Sequence, residues 1–277
     1  MRKRLIFDKM MLFLIVIFST AIIIPLFLIF IYIFKEGLSV ISWDFLSKLP
    51  KPVGEKGGGI FNAIVGTFII VFLSSIMAVP VGVGTGIYLY EKKRGRFVDL
   101  IKVCVDILQA SPSIILGIIA YIWIVKPMGR FSAISGSVAL AIMMLPVIIY
   151  NTEESLKMIP YTMKEAAFAL GAPYYKVMIK VIIPSALSGI VTGILVGISR
   201  IAGETAPLLF TAFGNPHLEL NPFKPMSSLP LLIFNYALSP YQQWIKQAWG
   251  ASLVLCMMVF LLNILSKTIT KRWKITS

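Results

Sequence analysis

The chain has 277 residues, of which 58% are hydrophobic and 14% are charged. A typical soluble domain carries about 25% charged residues, and the mean hydropathy of +0.88 also excludes a soluble globular protein. The net charge of +14 would suit a nucleic-acid partner, but the basic residues form short clusters between apolar runs, which is typical of membrane topology signals. We therefore expect one integral membrane domain over residues 1–277 that contacts lipid and no nucleic acid.

Six apolar segments are each long enough to cross a bilayer, which needs about 20 helical residues. The first follows the basic residues Arg2, Lys3 and Arg4 but is too long for a signal peptide, so we expect it to remain as a span. A seventh uncharged stretch, 225–245, has an apolar part of only ten residues and predicts a re-entrant or surface helix. The sequence thus predicts an all-α membrane protein with six transmembrane helices at about 10–34, 60–90, 105–125, 132–150, 185–213 and 249–266.

Charge counting orients this six-span arrangement. One side would hold 8 Lys/Arg in 66 residues, in the segments 35–59, 126–131 and 214–248. The other side would hold 17 Lys/Arg in 69 residues, in the segments 1–10, 91–104, 151–184 and 267–277. Because positive charge accumulates on the cytoplasmic side, both termini are predicted to be cytoplasmic.

Three sequence features limit the chemistry that the chain can carry out. Cys104 and Cys256 lie in or beside apolar runs, which argues against a disulfide framework. His217 is the only histidine and lies in a polar loop, which excludes a His-cluster metal site and most His-based catalytic triads. No metal site is predicted. A P-loop needs Gly-Lys-Ser/Thr, and the glycines at 57–59 lack it, so they are interpreted as a flexible connection to the second span.

The long loop between the fourth and fifth predicted spans, residues 151–184, has an ordered local pattern. Thr162 followed by Glu165 has the spacing of a capping box, in which both side chains satisfy free N–H groups at a helix start. Three alanines then favour helix, and Gly171 suits a left-handed helix end. The pattern predicts a short helix, a glycine turn and a second helix that ends at Pro184. An ordinary helical hairpin at the membrane surface is the alternative.

The same loop contains a motif that resembles the EAA loop of bacterial ABC importer permeases, EAA-x3-G-x9-I-x-L-P, in Glu165-Ala166-Ala167, Gly171, Val181, Ile183 and Pro184. Val181 and Ile183 are conservative departures, and the motif covers 20 positions. The resemblance implies a type I ABC importer permease fold. It also implies that the Glu-Ala-Ala helix and the following glycine couple the chain to a cytoplasmic ATPase. ATP and Mg2+ would then be bound by that partner.

Arg200 and Glu204 are charges inside the fifth predicted span. Charges within the membrane are costly and usually face a bundle interior or a water-filled path. At about 100° per helical residue, both fall within an arc of about 80° that also contains Gly189, Gly193 and Gly197. Glycines at this spacing allow another helix to approach closely. The pair is therefore predicted to face a neighbouring helix rather than lipid, and the glycines to pack against it.

Two interpretations of the charged pair are open. Arg200 and Glu204 could neutralise each other at i, i+4 and brace the helix, or they could line a translocation path. An arginine fork suits a tetrahedral oxyanion better than a lysine does. Glu204 could hold Arg200 while the path is empty, and it could accept a hydrogen bond from a protonated phosphate oxygen, which sulfate lacks at neutral pH. A Glu204→Gln variant that still rejects sulfate would contradict this selectivity hypothesis.

The string Arg200-Ile-Ala-Gly-Glu-Thr-Ala-Pro-Leu-Leu-Phe-Thr-Ala212 is very similar to the fifth-span signature of A-type permease subunits of bacterial phosphate (Pst) importers. The resemblance implies phosphate as the substrate and places Arg200 and Glu204 on its path. One departure is Tyr150, because many relatives have an arginine there. Similarity continues over most of the chain, at 62–67, Ser111-Pro112-Ser113 with Gly117, Leu145-Pro146 with Thr152-Glu153, and Leu229-Pro230 with Ile233-Phe234.

The resemblance also implies partners and a location. The chain would be a transporter subunit rather than an enzyme, in the bacterial plasma (inner) membrane. It would work with a homologous second permease (PstC-like), a cytoplasmic ATPase dimer (PstB-like) and an extracytoplasmic phosphate-binding protein (PstS-like). Alternatives are a permease for another oxyanion such as molybdate or sulfate, and an autonomous secondary transporter or channel, which would leave the EAA-like loop unexplained. An intramembrane hydrolase built on Ser252 would lack a histidine in any span.

Overall fold

A computed structural model describes residues 2–55 and 57–273. Within this part of the chain the regular structure is helical apart from an isolated β-bridge between Phe213 and Met226, so the predicted all-α fold is confirmed. The described residues also include two π-helical turns, Tyr121–Val125 and Met178–Ile182. In chain order the helices are α1 (Arg2–Leu38), α2 (Trp43–Ser47), α3 (Phe61–Glu91), α4 (Arg96–Ala110), α5 (Ser113–Ala120), α6 (Lys126–Met128), α7 (Ala133–Lys157), α8 (Tyr161–Ala169), α9 (Tyr174–Val177), α10 (Ile183–Ala202), α11 (Ala206–Leu209), α12 (Leu229–Ala237) and α13 (Gln242–Trp273).

Five helices among the described residues are long and apolar enough to cross a membrane alone: Phe7–Leu38, Phe61–Glu91, Ala133–Lys157, Tyr174–Ala202 and Gln242–Leu265. A sixth crossing exists only if α4 and the helical segment Ser113–Met128 are counted together, and these two are bent by 108°. The predicted third span, 105–125, is therefore wrong as one straight helix. The break arises because Pro112 displaces the preceding residue from helical geometry, and Ser111 has φ −71° and ψ 133°.

The predicted fifth span, 185–213, begins too late. The helix is continuous from Tyr174 to Ala202, so the predicted break at Pro184 is wrong. A proline inside a helix leaves one carbonyl without an N–H donor. The π-helical turn Met178–Ile182 ends two residues before Pro184, and such a turn shifts the hydrogen-bond register so that the helix passes the proline.

The same predicted span also ends too late. The helix stops at Ala202, and the N–H of Gly203 donates to the carbonyl of Arg200. Two residues end it together, because glycine has low helical propensity and Pro207 has no N–H for the carbonyl of Gly203. Glu204 therefore lies beyond the helix, and the angle predicted for it on a helical wheel does not apply.

The loop before α10 contains the predicted helix and glycine turn but not the predicted cap. α8 begins at Tyr161 after Pro160, and no side chain caps its start. Because Thr162 already has helical geometry there, its hydroxyl is not placed as a cap, and the capping box is wrong. Gly171 has φ +74°, in agreement with the predicted left-handed turn.

α7 forms the centre of the bundle. Its most apolar 18-residue stretch is 67% buried, whereas the corresponding stretch of α3 is 28% buried and that of α1 is not buried at all. α3 and α10 both pack on α7, where Leu140, Met144 and Ile148 are fully buried. The short helix α12 is nine residues long and packs on α3 and α13. It is too short to cross a membrane, in agreement with the prediction that 225–245 is not a seventh span. The core therefore holds α7 and α10 rigidly, while α1 presents apolar surface to its surroundings.

The bundle has two ends that differ in their elements. At the α8 end, Tyr174 at the start of α9 reaches Glu91 at the end of α3. At the opposite end, here called the α2 end, the carbonyl of Phe45 in α2 accepts from Ile60 before α3, and Gln243 of α13 donates to the same connection. These ends position the two groups of polar residues described below.

Candidate translocation path and coupling loop

The glycines of α10 form a close contact with α7. A Cβ atom at Gly193 would lie 2.3 Å from the Cβ of Asn151, and one at Gly189 would lie 2.3 Å from the Oγ of Ser155. At Gly197 the nearest α7 atom would be 3.0 Å away. A side chain at Gly189 or Gly193 would force the helices apart, whereas at Gly197 the Met144 side chain would have to give by only a few tenths of an ångström. Gly189 and Gly193 therefore set the distance between α7 and α10.

The structure brings Arg200 and Glu204 together without burying them. The Nε of Arg200 lies 3.9 Å from the Oε1 of Glu204, and the side chains are 45% and 21% exposed within this chain. The pair joins the last turn of α10 to the residues beyond it, and both side chains remain accessible to a ligand within this chain. The predicted contact with a neighbouring helix holds for the glycines, whereas both charged side chains stay partly exposed within this chain.

An open cavity of about 470 Å³ lies between the residues that follow α10, α12 and α13. Gly203 and Thr205, which flank Glu204, are in its lining, and α13 contributes Ser252 and Cys256. A water molecule occupies about 30 Å³, so the cavity has room for a small ion with its hydration water. Of its two hydroxyl side chains, that of Ser252 already donates to the carbonyl of Ala248 at 2.8 Å, whereas that of Thr205 can donate to an anion.

The predicted coupling residues lie on an accessible helix at the α8 end. Glu165 and Ala166 are exposed, and Ala167 is half-buried against a cluster that includes Ile182. α8 has no buried residue. The N–H of Gly171 donates to the carbonyl of Phe168 at 2.9 Å, which closes the turn. α8 therefore offers nearly all of its surface to a partner.

α8 and α9 are tied to the end of α3. The hydroxyl of Tyr174 donates to the Oε1 of Glu91 at 2.9 Å. The same ring stacks on Phe168 with centroids 6.2 Å apart, and the Nζ of Lys164 lies 5.2 Å from its centroid. A displacement of α8 would therefore be passed to α3 as well as to α10.

A buried carboxylate on α7 was missed by sequence reasoning. The side chain of Glu153 is 4% exposed and lies 2.8 Å from the Nζ of Lys157 and 3.9 Å from the Nζ of Lys102 on α4. Thr152 beside it packs on Gly86 of α3, where a Cβ would lie 2.6 Å from the Thr152 Cβ. The i, i+4 spacing of Glu153 and Lys157 was a visible signal, but its burial depends on α4 covering α7.

Tyr150, the departure from the family pattern, has a specific partner. Its hydroxyl donates a hydrogen bond to a carboxylate oxygen of Asp106 on α4. A tyrosine thus satisfies this carboxylate as a neutral donor. The contact joins α4 to α7 near the Glu153 ion pairs.

Residues 78–273 match the family model described as binding-protein-dependent transport system inner membrane component. The chain belongs to this family. It is 40% identical over 243 residues to the phosphate transport system permease protein PstA of Xylella fastidiosa (strain 9a5c), an alignment that covers 87% of this chain and 84% of that protein. It is 39% identical over 259 residues to the probable phosphate transport system permease protein PstA of Methanocaldococcus jannaschii, an alignment that covers 93% of this chain and 91% of that protein.

Solved structures show the same fold. The chain is similar to a chain of the MetNI methionine ABC transporter in an inward facing conformation, with a TM-score of 0.66, 19% identity, and coverage of 78% of this chain and 96% of that one. A chain of an amino acid ABC transporter with histidines has a TM-score of 0.58 and 16% identity, with coverage of 77% of this chain and 93% of that one. The predicted type I ABC importer permease fold and the prediction of a transporter subunit rather than an enzyme are confirmed. A permease of this kind works with an ATPase and a binding protein.

Proposed function

We propose that this chain is the PstA-type transmembrane subunit of an ATP-driven importer of inorganic phosphate. The observation that carries the proposal is the 40% identity to a phosphate transport system permease protein over 84% of its length. The accessible Arg200 guanidinium supports it, because arginine donates parallel hydrogen bonds to phosphate oxygens.

The proposed path runs along the side of α10 that this chain leaves uncovered. Arg200 binds phosphate there, and Glu204, 3.9 Å away, holds the guanidinium when no ion is present. Glu204 also accepts a hydrogen bond from a protonated phosphate oxygen, which sulfate does not offer. Thr205 supplies a hydroxyl donor from the adjoining cavity. A homologous second permease, PstC-like, covers this side and completes the path.

The proposed coupling runs through α8 at the other end of the path. In this proposal Glu165, Ala166, Ala167 and Gly171 dock on a PstB-like ATPase dimer, which binds ATP and Mg2+. Both termini and the α8 end are cytoplasmic, since 17 of the Lys/Arg residues in the connecting segments and termini fall on that side and 8 on the other. A PstS-like protein delivers phosphate to the α2 end. The location is the bacterial plasma membrane.

The test is uptake of radiolabelled phosphate into proteoliposomes that contain the chain with its partner subunits. Wild type should import phosphate only with ATP. Arg200→Met should assemble but lose uptake by about tenfold or more, because a charge-assisted hydrogen bond contributes about 1.5–3 kcal/mol. Arg130→Met, the same change at an exposed position outside the proposed path, should keep wild-type uptake.

Each failure has a distinct meaning. Uptake that persists without ATP or the ATPase would favour an autonomous secondary transporter. ATP-driven uptake of sulfate or molybdate in place of phosphate would assign the subunit to another oxyanion. Equal phosphate uptake by wild type and Arg200→Met would leave the importer standing but remove Arg200 from the path.

A further inference from the structure

A second cavity of about 470 Å³, at the α2 end, is surrounded by lysines. One wall is the connection from the end of α1 through α2 to the glycines before α3, and the other is the first two turns of α13. The two walls bring together residues about 200 positions apart in the sequence, so the cluster is invisible to any local pattern. The charged and amide side chains in the lining are Lys48, Lys51, Lys246, Asp44, Gln243 and Gln247.

The walls of this cavity are fixed by hydrogen bonds within the chain. The Nε2 of Gln243 donates to the carbonyls of Glu55 at 2.9 Å and Gly57 at 3.1 Å. Gln247, only 6% exposed, donates to the same Gly57 carbonyl at 3.2 Å. On the other side, Ser42 caps α2 through the N–H of Phe45 at 3.1 Å. A ligand would therefore meet a site that is already formed, which lowers the entropy cost of binding.

The cluster has more cationic than anionic groups. Lys48 pairs with Asp44, and Lys51 lies 3.4 Å from Glu55. All four of these side chains are 45% to 66% exposed, and pairs this accessible are weak, so an anion with several oxygens can compete for the ammonium groups. Lys246 also lines the cavity and has no ion pair among the described residues.

The position of the lysines is at a membrane boundary. Trp43 beside the cavity is 81% exposed, and the rings of Tyr32 and Trp249 meet edge to face with centroids 4.9 Å apart where α1 packs on α13. Tryptophan and tyrosine prefer the level of the lipid headgroups. In the proposed topology this is the outer side, where the positive-inside rule disfavours lysine. Topology therefore does not explain three lysines around one cavity.

We propose that this cavity binds a phosphate group, carried either by an anionic phospholipid headgroup or by free inorganic phosphate. Each lysine ammonium has three N–H donors and no acceptor, which suits the oxygens of such a group. The Gln247 amide and the α2 cap keep the lysines at the rim of one space. The site is separate from Arg200, and it stands whether or not the transport proposal holds, because its test measures binding and not uptake.

The test uses the full-length chain with its partner subunits, purified in detergent, in the Arg200→Met background so that the proposed path site is removed. Native mass spectrometry measures retention of short-chain phosphatidylglycerol against monoacylglycerol, which lacks phosphate. Equilibrium dialysis measures binding of radiolabelled inorganic phosphate. The cavity variant is Lys48→Gln/Lys246→Gln. The control is Lys126→Gln/Arg130→Gln, which removes the same charge from exposed positions outside the cavity.

We expect the cavity variant to bind at least one of the two phosphate probes about fivefold more weakly, the loss expected from two partly exposed charge contacts, and the control to bind as before. Loss of phosphatidylglycerol alone would identify the lipid headgroup as the ligand, and loss of inorganic phosphate would identify the free ion. If the cavity variant and the control bind both probes equally, or if binding of inorganic phosphate is unchanged and monoacylglycerol is retained as well as phosphatidylglycerol, the proposal is overturned.

Discussion

Replacing Gly193 by alanine should separate α7 from α10. The new Cβ would lie 2.3 Å from the Cβ of Asn151 and 3.0 Å from its Cγ, whereas carbon atoms pack at about 3.5–4.0 Å. Both Cβ atoms are attached directly to helical backbone, so no side-chain rotation relieves the clash. The helices must move apart locally by about 1 Å or more, and a gap of that size forfeits about a quarter to a half of the dispersion energy of the surrounding contacts.

The expected cost follows from a matched control. Overpacking of this kind costs about 1–3 kcal/mol, while replacing a helical glycine by alanine gains about 1 kcal/mol. At Gly84 on α3, an added Cβ meets nothing within 4 Å, so Gly84→Ala gains the helical term alone. The difference between the two variants is therefore the packing cost. At about 2–4 °C per kcal/mol, a packing cost of about 1–3 kcal/mol should make Gly193→Ala melt at least about 2 °C below Gly84→Ala.

The measurement is thermal unfolding of each purified variant in one detergent, followed by tryptophan fluorescence. A third variant, Gly193→Ala/Asn151→Gly, removes the opposing Cβ and should recover part of the difference, less about 0.3 kcal/mol because glycine is a slightly poorer helix former than asparagine. If Gly193→Ala and Gly84→Ala melt together, the glycines of α10 do not set the distance between the helices.

Two further predictions concern the α8 end. Glu153→Gln should lower the free energy of unfolding by about 1–2 kcal/mol, because the buried side chain, 4% exposed, loses its ion pairs with two partly exposed lysines. The control is Glu154→Gln, whose side chain is 64% exposed and which should leave the melting temperature unchanged. Equal melting temperatures for the two variants would contradict the role of burial. Gly171→Val should weaken ATPase binding about tenfold, because a β-branched residue at φ +74° costs about 1–2 kcal/mol. Gly171→Asn should bind the ATPase nearly as well as wild type, since asparagine tolerates this geometry. Co-purification of the ATPase measures binding by both variants. Equal retention of the ATPase by the valine and asparagine variants would refute the requirement for a left-handed turn.

The features that the sequence predicted correctly have local causes. Apolar length determines where α1, α3, α7 and α13 lie, because crossing a membrane depends on composition over about 20 residues. The turn at Gly171 follows from the absence of a Cβ at one position. The errors arose where two local signals compete. The capping pattern at Thr162 does not form a cap because the helix starts earlier, directly after Pro160. Pro184 does not end the helix because the π-helical turn before it changes the hydrogen-bond register.

Other features were decided only when the helices met. The 108° bend between α4 and the segment after it brings α4 back over α7, which buries Glu153 and joins Tyr150 to Asp106, 44 residues away. A helical wheel gave the direction of Arg200 about its axis but not what covers it, and Glu204 lies beyond the helix. The physical reason is that burial of apolar surface is not directional. The sequence determines which faces leave water, whereas packing distances between particular helices determine which residues those faces meet.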